Sequence, residues 1–256
     1  MKKRKSWMWL LGLSAVGMLA SPASGAFGDV VASFRAPAAE PMALAWADGQ
    51  LYCYCNTSPY RIWKINPRTG NAVGSFVFAA TGKETGGLAH DGRWFWAGNN
   101  EENRIYRFEW GGSVVSSFKP GWNVARGLAW SGLHLWGTQD GGTWAYRFYQ
   151  MRFDGKVIRS FISYYVLYDL AWDGRYLWAP EYDRIGERTR IVALSVAKGT
   201  LVAAVTPPAD DPRGATFDGT YLWLSTLADN GWLWKIDIQG VGVEPASLGR
   251  VKTLFH

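Results

Sequence analysis

Asp169-Leu170-Ala171-Trp172-Asp173-Gly174-Arg175-Tyr176-Leu177-Trp178 writes a strand, a turn and a second strand in one short stretch. Two apolar runs flank Asp-Gly, the strongest short-range hairpin signal, because a two-residue turn of this kind needs positive φ at both central residues. The phrase returns as Ala43-Leu44-Ala45-Trp46 before Asp48-Gly49 and as Gly87-Leu88-Ala89-His90 before Asp91-Gly92. It returns again as Gly127-Leu128-Ala129-Trp130 before Ser131-Gly132 and as Gly214-Ala215-Thr216-Phe217 before Asp218-Gly219. The closing residues of these first strands stand 44, 40, 42 and 45 residues apart.

That period is the length of a four-stranded propeller blade. Second strands end at Cys53, Trp96, Trp136, Trp178 and Trp223. Third strands alternate apolar with polar residues, as in Ile62-Trp63-Lys64-Ile65 and Ile105-Tyr106-Arg107-Phe108, the pattern of a strand nearer the outside. A Gly-marked turn such as Asn66-Pro67-Arg68-Thr69-Gly70 then leads to a fourth strand. The expected fold is all-β: a β-propeller of five four-stranded blades closed by a terminal strand, the alternative being six blades with one incomplete. Two segments compete to close the ring. Asp29–Phe34 reads as a fourth strand lacking the three before it, whereas Gly249–Phe255 repeats the phrase of Gly155–Phe161; the N-terminal strand is favoured, because Phe34 leads into the first repeat as Phe118 leads into the third. Glycines at 87, 127 and 214 suit a crowded channel where neighbouring backbones approach.

Residues 1–25 have the three parts of a secretory signal peptide: Lys2-Lys3-Arg4-Lys5, an apolar run from Trp7 to Ala20, and small residues up to Gly25. The apolar run is short for a membrane span. The mature chain is expected to begin near Ala26 or Phe27, to form one domain over residues 26–256 without a membrane span, and to be secreted or periplasmic. The segment carries four of the 27 Lys and Arg and none of the 21 acids, so the formal charge falls from +6 to +2 without it. Nothing in that balance argues for nucleic acid.

Cys53 and Cys55 stand two apart in one strand, near the geometric limit for a disulfide, and read as buried thiols, Cys53 filling a slot that the other repeats give to Trp. With three histidines in the chain, a Cys-x-Cys zinc site lacks further ligands. Glu101-Glu102 and Asp210-Asp211 come without a calcium-loop spacing. No cofactor and no metal are expected. His90 reads as a packing residue, and no metalloprotease, nucleophile-elbow or phosphate-loop motif occurs.

"INPRTGNAVGSF" and the recurring "GLAW-DGRYLW" type of phrase resemble the YVTN and NHL-type repeats of secreted bacterial β-propeller proteins, over nearly all of residues 28–240. The resemblance implies the blade. It leaves function open, since that superfamily ranges from lyases and cyclotransferases to adhesins and scaffolds.

Function in repeat rings resides in the variable loops. The connections from fourth to first strand and from second to third strand share one face, opposite the Asp-Gly turns. The candidate ligand-binding residues on it are Glu84, Trp122, Arg126, Tyr168, Asp169, Tyr182 and Arg213. The aromatic members offer amphipathic anchors, and the arginines offer fixed donors for a carboxylate or carbonyl. Arg126, Asp169 and Arg213 fall at one place in the repeat register, where an ion-pair ring is the competing reading. The favoured function is a non-catalytic binding or scaffold propeller whose partner is a protein, peptide or carbohydrate. The alternative is a lyase, cyclotransferase or hydrolase with its active site at the channel mouth.

Overall fold

The computed structural model of the chain describes residues 26–78, 85–121, 125–139, 146–163, 166–183 and 188–239. A lone strand, β1 (Val30–Arg35), precedes the first blade. Blade 1 is β2 (Pro41–Ala47), β3 (Gln50–Cys55), β4 (Arg61–Ile65) and β5 (Ala72–Val77). Blade 2 is β6 (Thr85–His90), β7 (Phe95–Asn99), β8 (Arg104–Phe108) and β9 (Val114–Phe118). Blade 3 is β10 (Ala125–Trp130), β11 (Leu135–Gln139), β12 (Tyr146–Met151) and β13 (Val157–Ser163). In blade 4 the inner strand is split into β14 (Val166–Leu167) and β15 (Ala171–Trp172), followed by β16 (Tyr176–Asp183), β17 (Arg188–Ser195) and β18 (Leu201–Val205). Blade 5 takes β19 (Pro212–Phe217), β20 (Tyr221–Thr226) and β21 (Trp232–Asp237), and β1 completes it by pairing antiparallel with β21.

Five blades are therefore closed by the N-terminal strand, as the Phe34 phrase predicts. A packing rule shows why β1 fits there. The turn glycine between third and fourth strands of one blade lies under a phenylalanine of the preceding blade's fourth strand: Gly155 under Phe118, and Gly199 under Phe161. Gly70 meets Phe34 of β1 in the same way, at positive φ and with no room for a Cβ. The C-terminal phrase 249–255 and residues 1–25 lie outside the described residues.

The Asp-Gly turns differ from expectation in all but one blade. Blade 1 has the two-residue form, with Asp48 at φ 48 and Gly49 at φ 69 between paired Ala47 and Gln50. In blade 2, His90 pairs with Phe95, so four residues intervene and only Gly92 is left-handed. The aspartate has a different task there. One oxygen of Asp91 accepts the N–H groups of Arg93 and Trp94, and the other accepts the indole N–H of Trp96 at 2.8 Å. Asp173 repeats this with Trp178 at 2.7 Å and Asp218 with Trp223 at 2.9 Å. Each of these tryptophans is buried against the next layer, and a buried indole N–H without an acceptor costs about 1–3 kcal/mol. The recurrence of Asp with Trp five residues later is thus one interaction copied from blade to blade. Blade 1, with Cys53 in the slot, lacks the indole to be held.

Candidate functional site

Counting back from the closing residue of each inner strand sorts the channel into rings. The closing ring is Trp46, His90, Trp130, Trp172 and Phe217, around a small hollow of about 80 Å³ on the turn side. Two residues earlier come Leu44, Leu88, Leu128, Leu170 and Ala215. One more step back gives Ala43, Gly87, Gly127, Asp169 and Gly214: four small residues and one carboxylate.

Asp169 is fully buried and fills the space its small counterparts leave. Its Oδ1 accepts the N–H groups of Leu170 at 2.9 Å and Leu128 at 3.3 Å; its Oδ2 accepts those of Ala215 at 3.0 Å and Leu44 at 3.2 Å. Four of the five blades therefore donate to one side chain. Burial pushes its pKa well up, and the four donors oppose that shift. The inner strand of blade 4 is interrupted at Tyr168–Leu170, at the place where the inner strands of the other four blades carry a register shift.

Above this plug lies the ring Met42, Gly86, Arg126, Tyr168 and Arg213, which lines a blind cavity of about 220 Å³ together with Thr85, Asn56 and Asn100. Gly86 leaves one corner of the ring open. The asparagines come from the connections after β3 and β7, and Asn56 is held by Tyr54, whose hydroxyl donates to its Oδ1, and by Glu40, which accepts from its Nδ2 at 3.0 Å. Burial pushes the Tyr54 hydroxyl up to about 12. Arg213 stacks over the Tyr168 ring at 4.0 Å and pairs with Asp211 at 2.6 Å. Its Nε is buried without a hydrogen-bond partner among the described residues, as is the Asn100 Oδ1. Among the described lining residues there is no carboxylate, imidazole or thiol.

Three of the sequence candidates, Arg126, Tyr168 and Arg213, thus meet at one cavity. Tyr182 lies beside it, in a second depression of about 400 Å³ that shares Tyr168 and Arg213 and adds Thr189, Asp210 and Asp211. Asp169 stands one residue deeper than Arg126 and Arg213, fully buried, with both oxygens on backbone N–H groups. Glu84 and Trp122 lie outside the described residues. The sequence candidates leave out Met42, Asn56, Thr85 and Gly86, and Asn100 of the loop Asn99–Asn103 on the same face, although the repeat register names Met42 and Gly86 outright as the counterparts of Arg126 and Arg213. Among the described residues no group of three or more His, Cys, Asp or Glu is placed to hold a metal ion, and no helix is long and apolar enough to cross a membrane.

Comparison with solved structures shows what kind of ring this is. A glutaminyl cyclase from Myxococcus xanthus superposes with a TM-score of 0.63 at 13% identity, with 82% of this chain and 95% of that chain covered. The chain is a five-bladed β-propeller. Virginiamycin B lyase from Staphylococcus aureus matches with a TM-score of 0.45 at 16% identity, over 77% of this chain and 66% of that one. The β-propeller domain of Myceliophteria thermophila Swd1 matches at 0.48 and 11%, over 76% and 82%. No family model matches the chain, and no curated protein does. At such identities the likeness of the propeller to these proteins is one of fold.

Proposed function

We propose that this propeller is a binding protein that receives the anionic or carbonyl-bearing end of a protein, peptide or glycan in the blind cavity at its channel mouth. One observation carries the reading: two guanidinium groups, Arg126 and Arg213, line a cavity that Asp169 closes from below. Its volume falls short of the roughly 300–1,000 Å³ of clefts that enclose a drug-sized ligand, so an end of a larger ligand suits it. Asp169, the buried carboxylate of the inner strands, has both oxygens committed to backbone N–H groups, which favours binding over acid–base chemistry. On the turn face, the connections between first and second strands are of two or four residues. The setting proposed is secreted or periplasmic, supported by the leader-like residues 1–25.

Peptide and glycan arrays probed with the purified chain test this. Capture should fall in Arg126→Ala/Arg213→Ala and persist in Arg93→Ala/Arg175→Ala on the opposite face, with melting curves confirming that both fold. The reverse pattern refutes the assignment of the face. For the setting, intact mass of material recovered outside the cytoplasm should lack residues 1–25; a mass retaining Met1 contradicts it.

A further inference from the structure

Resting on that reading, we infer that the cavity takes the free C-terminal carboxylate of a peptide chain. Charge comes first. Arg213 is paired with Asp211 through one terminal nitrogen, yet the described lining itself holds two guanidinium groups and no acid, which disfavours an ammonium terminus and favours an anion; guanidinium–carboxylate pairing is among the stronger hydrogen-bonded contacts. Donors and acceptors narrow the choice. The buried Arg213 Nε–H needs an acceptor and the buried Asn100 Oδ1 needs a donor. A peptide terminus supplies both within one residue: its carboxylate accepts from arginine, and the N–H of its last peptide bond donates to Asn100. An unfilled buried polar atom costs about 1–3 kcal/mol, so a ligand that satisfies two of them gains over one that satisfies neither.

Depth argues for an end over a loop. Asp169 closes the channel beneath Gly86, so a chain that enters cannot pass through, and a hairpin is too wide for about 220 Å³. An acidic sugar carries the same carboxylate but is recognised by stacking on an open ring, and Tyr168, the aromatic of the described lining, already carries the Arg213 guanidinium at 4.0 Å. Met42 and the open corner at Gly86 leave an apolar flank for a last side chain of modest size.

The test uses the whole chain on two arrays of pentapeptides fixed through their N-termini, every residue type varied at the last position, one array ending in free acids and its twin in amides. A third set carries glucuronate-ended oligosaccharides. Free acids should bind about tenfold or more better than their amides, with Arg126→Ala and Arg213→Ala each erasing the preference. Should those variants fail to fold, Asn100→Asp replaces them: its charge should weaken the free acids by about tenfold and the amides much less. Equal binding of acids and amides, or binding of the oligosaccharides alone, overturns the inference and leaves the binding mouth standing. Binding that survives every mouth variant, or no binding on any of the three sets, overturns both.

Discussion

Gly87 and Asp169 approach each other so closely that a Cβ built on the glycine would lie 2.6 Å from the carboxylate Oδ1, and closer still to the backbone nitrogen of Leu128 in blade 3. Blade 2 is therefore held open by the absence of a side chain, and the hub fits because of it. Gly87→Ala must spread blade 2 from the Gly127–Leu128 backbone of blade 3 and crowd the carboxylate that Leu128 donates to, at about 3 kcal/mol, the upper range for overpacking. In a domain of this size that lowers Tm by roughly 6–12 °C. Gly121→Ala, where a Cβ meets nothing within 4 Å, should leave Tm unchanged. Equal melting of the two variants would remove the steric account of the hub.

The bond between Asp173 and the Trp178 indole predicts a contrast between blades. Asp173→Asn keeps the oxygen that accepts the turn N–H groups and replaces the indole's acceptor with a donor, for a loss of about 1–2 kcal/mol. In Asp48→Asn the slot residue is Cys53, no indole is involved, and asparagine tolerates the positive φ of that position, so denaturant midpoints should scarcely move. A large loss at Asp48 would refute the copied interaction.

His90 gives the ring a sensitivity to acid. Its ring is partly buried against Phe95, its Nδ1 accepts the Gly92 N–H, and burial holds its pKa below the ordinary value of about 6.5. The neutral form is the one the fold accommodates. Its contribution is complete above the unfolded pKa and is lost as pH falls through the lower, folded one. His90→Phe, the residue type at the matching position 217, should therefore flatten the decline in Tm between pH 7 and pH 5 relative to the unaltered chain. Parallel curves would show that His90 is not the sensor.

Cys53 and Cys55 are free, buried thiols that share a hydrogen bond between sulfurs 3.7 Å apart. Burial, then the neighbouring Cys55, pushes the Cys53 thiol well up, away from the reactive thiolate. A disulfide-forming thiol reagent should titrate no cysteine in the folded chain and two in denaturant. Reaction of either at the rate of a free thiol in the folded state would contradict the packing.

Much of the ring was legible because it is periodic. The spacing of Trp46, His90, Trp130, Trp172 and Phe217 gives blade number and strand order, and Phe34 identifies the closing strand by its likeness to Phe118. The task of the turn aspartate was not legible, since Asp-Gly carries the same signal for a two-residue turn as for the four-residue turn that grips an indole. Asp169 misled for a related reason. A charge in register with two arginines looks like a member of their ring, and only three-dimensional packing shows that one residue of offset turns it from the mouth into the backbone of four blades. Asn56 and Asn100 carry no periodic mark at all; connections converge on them through geometry alone.

The pairing of Phe34 with Leu233 has a consequence for the order of events during synthesis. Among the described residues, the strand that leaves the ribosome first is seated against the one that leaves last, roughly 200 residues later, an interval of about 10–40 s at 5–20 residues per second. Throughout that time the apolar Val30 and Val31 have no partner strand and the ring has no closed state to reach. Contacts so distant in sequence form slowly, so the nascent blades depend on being kept from one another's open edges until the final hairpin arrives.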